Sequence, residues 1–255
     1  MGDTMIQSVG TSLKRFFRNF PYILLLLLLI SVPINLIQAC VVDVSLPQDG
    51  ALDLSEDYLS DTLSKYLVYL FLSFVLTSVL NMLYIGVLLI LKQDRDGEPV
   101  NFRSVFEHAF MLLPKVWLTQ ILSGLLIGIG LMFFVLPGII LYYIFYMVPF
   151  AVVYTEEWGR KGLQAAFRYT RKYGRKVVGI ILFDLAYRFV IALGTGVLLD
   201  MVPFVGRLQT VFSVGVYCLQ DLLLCVSFAI IGGWALSMPI DVGQEENKAD
   251  THEMV

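Results

Sequence analysis

The sequence predicts an all-α, polytopic membrane protein: six transmembrane helices paired as three hairpins, each hairpin preceded by an interfacial amphipathic helix. Three observations lead there. Of 255 residues, 58% are hydrophobic and only 15% charged, against about 25% charged in an ordinary soluble domain. The charges are clumped, so that 23–42 and 116–154 carry none. Cation-rich and cation-poor connections alternate along the chain.

A hydrocarbon core about 30 Å thick needs about 20 apolar residues of helix to cross it. Segments 21–42, 66–91, 177–199 and 209–239 meet that length directly. The stretch 116–154 overshoots, since a single helix of that length at about 1.5 Å per residue would reach about 58 Å. It is predicted to turn at Pro137 and Gly138, where proline cannot continue the helical ladder and glycine tolerates a reversal. Spans 116–135 and 138–154 result. Residues 1–20 then form an N-terminal cytoplasmic amphipathic helix, 21–239 the transmembrane domain and 240–255 a polar cytoplasmic tail.

Orientation follows from lysine and arginine. Lys14, Arg15 and Arg18 precede the first span, and Lys92, Arg95, Arg103 and Lys115 lie between the second and third. Arg160, Lys161, Arg168, Arg171, Lys172, Arg175 and Lys176 lie between the fourth and fifth. The alternate connections hold Lys65 against six acids in 43–65, no cation at Pro137, and Arg207 alone in 200–208. Both ends of the chain are therefore expected in the cytoplasm.

The segments before the hairpins have helical periodicity. In 101–113 the apolar face is Phe102, Val105, Phe106, Ala109, Phe110 and Leu113, with Asn101 placed as N-cap. Near the N-terminus the face is Ile6, Val9, Leu13, Phe16, Phe17 and Phe20. In 162–176, Leu163, Ala166, Phe167, Thr170 and Tyr173 stand opposite a basic face. The spacing Phe17 to Pro21 repeats as Phe110 to Pro114, which points to three related units. Lys161, Arg168, Arg171, Lys172, Arg175 and Lys176 are expected to contact anionic lipid head groups.

The ionisable residues at membrane depth are Asp184, Arg188 and Asp221. Such groups are costly in hydrocarbon and need partners. Asp184 and Arg188 are four apart on one helix face. Arg188 lies twelve residues from Asp200, and Asp221 twelve from Gln209, so equal depth on antiparallel neighbours predicts Arg188 between both carboxylates. The cluster serves either as a clamp that fixes helix register or as a proton or ion relay. Asn35, Asn81, Gln120 and Gln220 are expected to be interhelical hydrogen-bond glue, and Gly124 and Gly128 a close-packing GxxxG pair. Tyr142, Tyr143 and Tyr146 read as core and belt aromatics. Cys40, Cys218 and Cys225 lie in apolar segments without ligand spacing, and both histidines, His108 and His252, read as solvated. No metal, cofactor or disulfide is predicted, and the absence of HExxH or a nucleophile elbow argues against an enzyme.

The run Leu136-Pro137-Gly138-Ile139-Ile140-Leu141, followed by Pro149-Phe150-Ala151-Val152-Val153 and then 162–174 before a new span, resembles a known family. It is similar to the membrane domain associated with bacterial glycerophosphoryl diester phosphodiesterases and to the YciC-like membrane proteins. In that pattern Glu156 or Glu157 takes the acidic place and Ala165-Ala166 the helix, while Tyr169 departs from the usual serine. The likeness covers roughly 101–200. It implies a six-helix bacterial plasma-membrane protein, without the soluble phosphodiesterase domain and without any transferable catalytic residue.

The expectation is a non-enzymatic, multi-pass protein of the bacterial cell membrane, with a binding or accessory role in envelope or transport processes. Its partners are the bilayer, anionic head groups and a membrane protein, with no nucleic acid. One rival is a small transporter or permease using Asp184, Arg188 and Asp221. The other is a lipid-modifying membrane enzyme, which needs a cytoplasm-facing pocket of convergent polar groups.

Overall fold

The computed structural model describes residues 5–45, 56–201 and 207–238, and these are mostly helical with no strand among them. The helices are α1 (Met5–Arg18), α2 (Phe20–Ser45), α3 (Glu56–Asp96), α4 (Phe102–Phe133), α5 (Val135–Phe145), α6 (Val148–Thr155), α7 (Gly159–Met201) and α8 (Arg207–Leu236). Six stretches are long and apolar enough to cross a bilayer: Phe20–Ala39, Phe71–Asp96, Phe102–Phe133, Val135–Thr155, Gly159–Leu199 and Val211–Leu236. Large apolar side chains also cover the outside, among them Leu29, Leu125, Leu182, Leu185 and Phe189. Water would penalise so much exposed apolar surface, whereas acyl chains accept it. The chain is an all-α, multi-pass integral membrane protein.

The three entries into the bilayer are built differently. Asn19 separates α1 from α2: its amide and side chain both bond the Arg15 carbonyl, at 3.1 and 3.0 Å, while its own carbonyl takes Tyr22 and Ile23. On α1, Phe16 is buried against the bundle and Phe17 faces outward at 65% exposure. At the second entry no break occurs. Asn101 caps α4 by accepting from the Arg103 amide at 3.1 Å, and the helix runs on through Pro114 to Phe133. The missing N–H of Pro114 leaves the Phe110 carbonyl for solvent at the aqueous end, where that loss is small. At the third entry α7 kinks at Tyr173 (φ −121°, ψ 27°), so Arg175 and Lys176 begin the spanning part rather than end the interfacial one.

The α4–α5 turn is not where the sequence suggests. Phe134 alone is extended (φ −158°, ψ 142°), and Pro137 and Gly138 lie inside the first turn of α5. Proline is welcome there because the first amides of a helix have no intrahelical acceptor. Gly138 serves a close approach instead: a Cβ on it would lie 2.9 Å from the Leu131 backbone nitrogen and clash with the Leu131 side chain. Gly124 and Gly128, the GxxxG pair, have open space around them and do not mediate packing within the bundle.

The fourth span is discontinuous. Pro149 sits in the first turn of α6 and cannot donate to Phe145, so the helix breaks at Tyr146 and Met147. Beside the break, Thr170 Oγ1 donates to the Ile144 carbonyl at 3.0 Å, and the Ala151 amide bonds the Met147 carbonyl at 2.8 Å as α6 begins. α6 is the centre of the core, with Val148, Phe150, Ala151, Val152 and Val153 all buried. It ends at Glu156, which adopts φ 60° and returns its amide to the Val152 carbonyl.

Two glycine substitutions test this packing. Gly138→Val is expected to destabilise by about 1–3 kcal/mol, as overpacking does, whereas Gly124→Ala is expected to be neutral. Thermal unfolding in detergent measures both, and equal effects would contradict the geometry.

Candidate functional site

The intramembrane polar residues form two linked groups around α8. Asp184 on α7 is 5% exposed. It accepts from Arg188 Nε at 2.8 Å, one turn away, and from Ser227 Oγ of α8 at 3.0 Å. Asp221 on α8 is 7% exposed. One of its oxygens, Oδ2, accepts from Ser31 Oγ at 2.6 Å and Asn35 Nδ2 at 2.8 Å, both on α2, and Asn35 also donates to Ser31 at 3.0 Å.

Arg188 therefore does not bridge the two carboxylates; among the described residues its only ion pair is with Asp184. The depth count that predicted bridging is close. Ser227 faces Asp184, and the Tyr187 hydroxyl donates to the Leu223 carbonyl at 3.0 Å, which puts Asp221 within about a turn of Arg188 along the axis. Azimuth is the reason for the difference. Asp221 is six residues from Ser227, about 240° around α8 at 3.6 residues per turn. It faces α2 while Ser227 faces α7.

Arg188 lies over the Phe228 ring at 5.8 Å. Phe228 in turn stacks on Tyr84 of α3 (4.4 Å, 11°) and on Phe150 of α6 (5.7 Å, 27°). This column connects α3, α6, α7 and α8 at the depth of the charges. The Tyr146 hydroxyl, at the break after α5, lies close to Asp184 and Arg188. The Arg188 side chain remains 46% exposed, against 7% for that of Asp184.

On α7, Lys161, Arg168, Arg171 and Lys172 before the kink and Arg175 and Lys176 just after it are all exposed. Leu163, Ala165, Ala166, Tyr169 and Thr170 are buried against the bundle. The basic face points away from the protein, with Trp158 and Phe167 exposed beside it at 52% and 46%. Lys172 and Lys176 lie over the Tyr173 ring at 5.5 and 5.7 Å.

Two charged joints at the same end of the bundle escaped the sequence reading. Arg15 and Arg18 of α1 both pair with Asp94 of α3, whose side chain is 6% exposed. His108 is not simply solvated: its Nε2 lies 3.4 Å from Glu156 Oε1, which Lys92 also reaches at 3.4 Å. Ser31 and Asn35 carried a local signal, being polar residues four apart in a leucine-rich run, but nothing local pointed to Asp221 as their partner. Among the described residues no group of three His, Cys, Asp or Glu side chains could hold a metal ion. Cys40, Asp200, Arg207 and His252 lie outside the side chains described.

The geometry predicts an asymmetric response to charge removal. Arg188→Met is expected to cost about 3–5 kcal/mol, because it leaves Asp184 buried without a counter-charge. Adding Asp184→Asn is expected to recover most of that loss, and Asp221→Asn in its place to recover none. Unfolding in a denaturing detergent titration checks the series; recovery by Asp221→Asn would show that Arg188 serves both acids.

No family model, curated protein or solved structure matches the chain, and the functional argument rests on the sequence and the geometry above.

Proposed function

We propose that this chain is a non-enzymatic protein of the bacterial plasma membrane, with both ends in the cytoplasm, that acts by holding anionic lipid at its inner face in support of an envelope or transport process. The observation that carries the reading is the outward basic face of α7, docked through its apolar side. Cations near a negatively charged leaflet contribute about 1 kcal/mol each. Exposed Trp158 and Phe167 flank that face as interfacial aromatics do. The resemblance to the phosphodiesterase-associated membrane family supports the same compartment.

A second reading, a small transporter or permease, is favoured by one observation. Arg188 keeps nearly half of its side chain accessible at membrane depth, which a purely structural clamp does not require.

Two measurements test the leading reading. For orientation, cysteine placed at Asp57 is expected to label from outside and cysteine at Lys172 only after permeabilisation; external labelling at 172 would overturn it. For lipid, phosphatidylglycerol retained by the purified protein is read by native mass spectrometry. Each Lys or Arg to Gln change at 171, 172, 175 and 176 is expected to weaken retention about fivefold, the equivalent of about 1 kcal/mol. Unchanged retention in the fourfold variant would remove the lipid role.

A further inference from the structure

Arg188 is twelve residues from Lys176 and twelve from Asp200 along α7. At about 1.5 Å per residue that is about 18 Å from each, close to the middle of a core about 30 Å thick. Its Nε is engaged by Asp184, and its guanidinium rests on Phe228. The remaining N–H donors meet no acceptor among the described residues. Leu185 and Ala192, three before and four after it on the helix, are both exposed. The guanidinium thus emerges at the border between the bundle and the face that acyl chains cover. Hydrocarbon cannot satisfy those donors, so a polar group has to reach them.

The surroundings point to the kind of group. α5 packs beside α7 and presents Tyr142, 48% exposed, in edge contact with Tyr146 at 6.0 Å. Tyr146 in turn lies close to Asp184 and Arg188, so the phenols and the guanidinium stand together where α5 meets α7. The free fork of an arginine suits the paired oxygens of a phosphate. A phosphate that stays attached to acyl chains can enter from the side, with its tails left against Leu185 and Ala192. At the inner end of the same helix, exposed Lys172, Arg175 and Lys176 gather head groups at the start of the path.

We propose that the exposed seam of α5 and α7 passes phospholipid head groups across the bilayer, with Arg188 as the mid-depth contact for the head-group phosphate. The chain then equilibrates lipid between leaflets, a downhill exchange that needs no energy source. This goes beyond the lipid-contact reading and does not require it, because a zwitterionic lipid has little net attraction to the basic face yet carries the same phosphate.

The test uses the full chain in phosphatidylcholine–phosphatidylglycerol vesicles with a trace of head-group-labelled fluorescent lipid, bleached by external dithionite. In protein-free vesicles only the outer-leaflet label bleaches; with the protein, the inner-leaflet label is expected to follow. Arg188→Met with Asp184→Asn, which keeps the buried charge balanced, is expected to lose that second component. Ala192→Trp adds bulk on the exposed face one turn from Arg188 and leaves both charges in place, and is expected to slow it severalfold. Bleaching equal to that of protein-free vesicles, or wild-type rates in both variants, would overturn the proposal. Each arm is run with phosphatidylcholine and phosphatidylglycerol probes. A chain that retains phosphatidylglycerol yet exchanges neither probe overturns the passage and leaves head-group binding at the basic helix standing.

Discussion

The bilayer core offers no hydrogen-bond partner, and the arrangement of this molecule depends on that constraint. Polar atoms carried to depth need partners, and the matches made within the protein decide which helices touch. Asp221 binds Ser31 and Asn35 and so ties α8 to α2. Asp184 binds Ser227 and ties α8 to α7. The Tyr154 hydroxyl donates to the Gly232 carbonyl at 2.9 Å and ties α8 to α6. One helix, α8, collects these bonds. Apolar contacts cannot do this alone, because lipid tails are as good a neighbour as leucine.

Close backbone approach supplies what the polar bonds leave. Where α1 crosses the end of α8, a Cβ on Gly233 would fall 2.7 Å from Ser12 Cβ, so only glycine admits the contact. The break between α5 and α6 obeys the same constraint. Pro149 interrupts the ladder, and Thr170 from α7 bonds the Ile144 carbonyl beside the break. An irregular backbone survives at that point because protein, and not lipid, surrounds it.

Features set by short stretches of chain were legible in advance. Six spans followed from the length of apolar runs and Asn101 as a cap from its place before the pattern, because each depends only on neighbours in sequence. The pairing of Asp184 with Arg188 is of the same kind, since four residues on a helix share a face. Facts about azimuth were not legible. The depth of Asp221 could be counted, but which neighbour it faced depended on where α2 stands, and no local pattern records that. The glycines show the same divide: a GxxxG spacing says how two residues relate to each other, not whether anything lies opposite. Pro137 misled for a different reason, since a proline that ends one helix and a proline that begins the next look alike in sequence.

The bond between Ser31 and Asp221 joins residues 190 positions apart. Ribosomal synthesis runs from the first to the last, so α2 enters the membrane while its partner has yet to be made. Until α8 arrives, Ser31 and Asn35 lack the carboxylate that they bind in the finished bundle. A chain stopped early, or one whose last helix fails to insert, would present an unmatched polar seam to the lipid. Such a seam would distinguish unfinished molecules from finished ones by their surface alone.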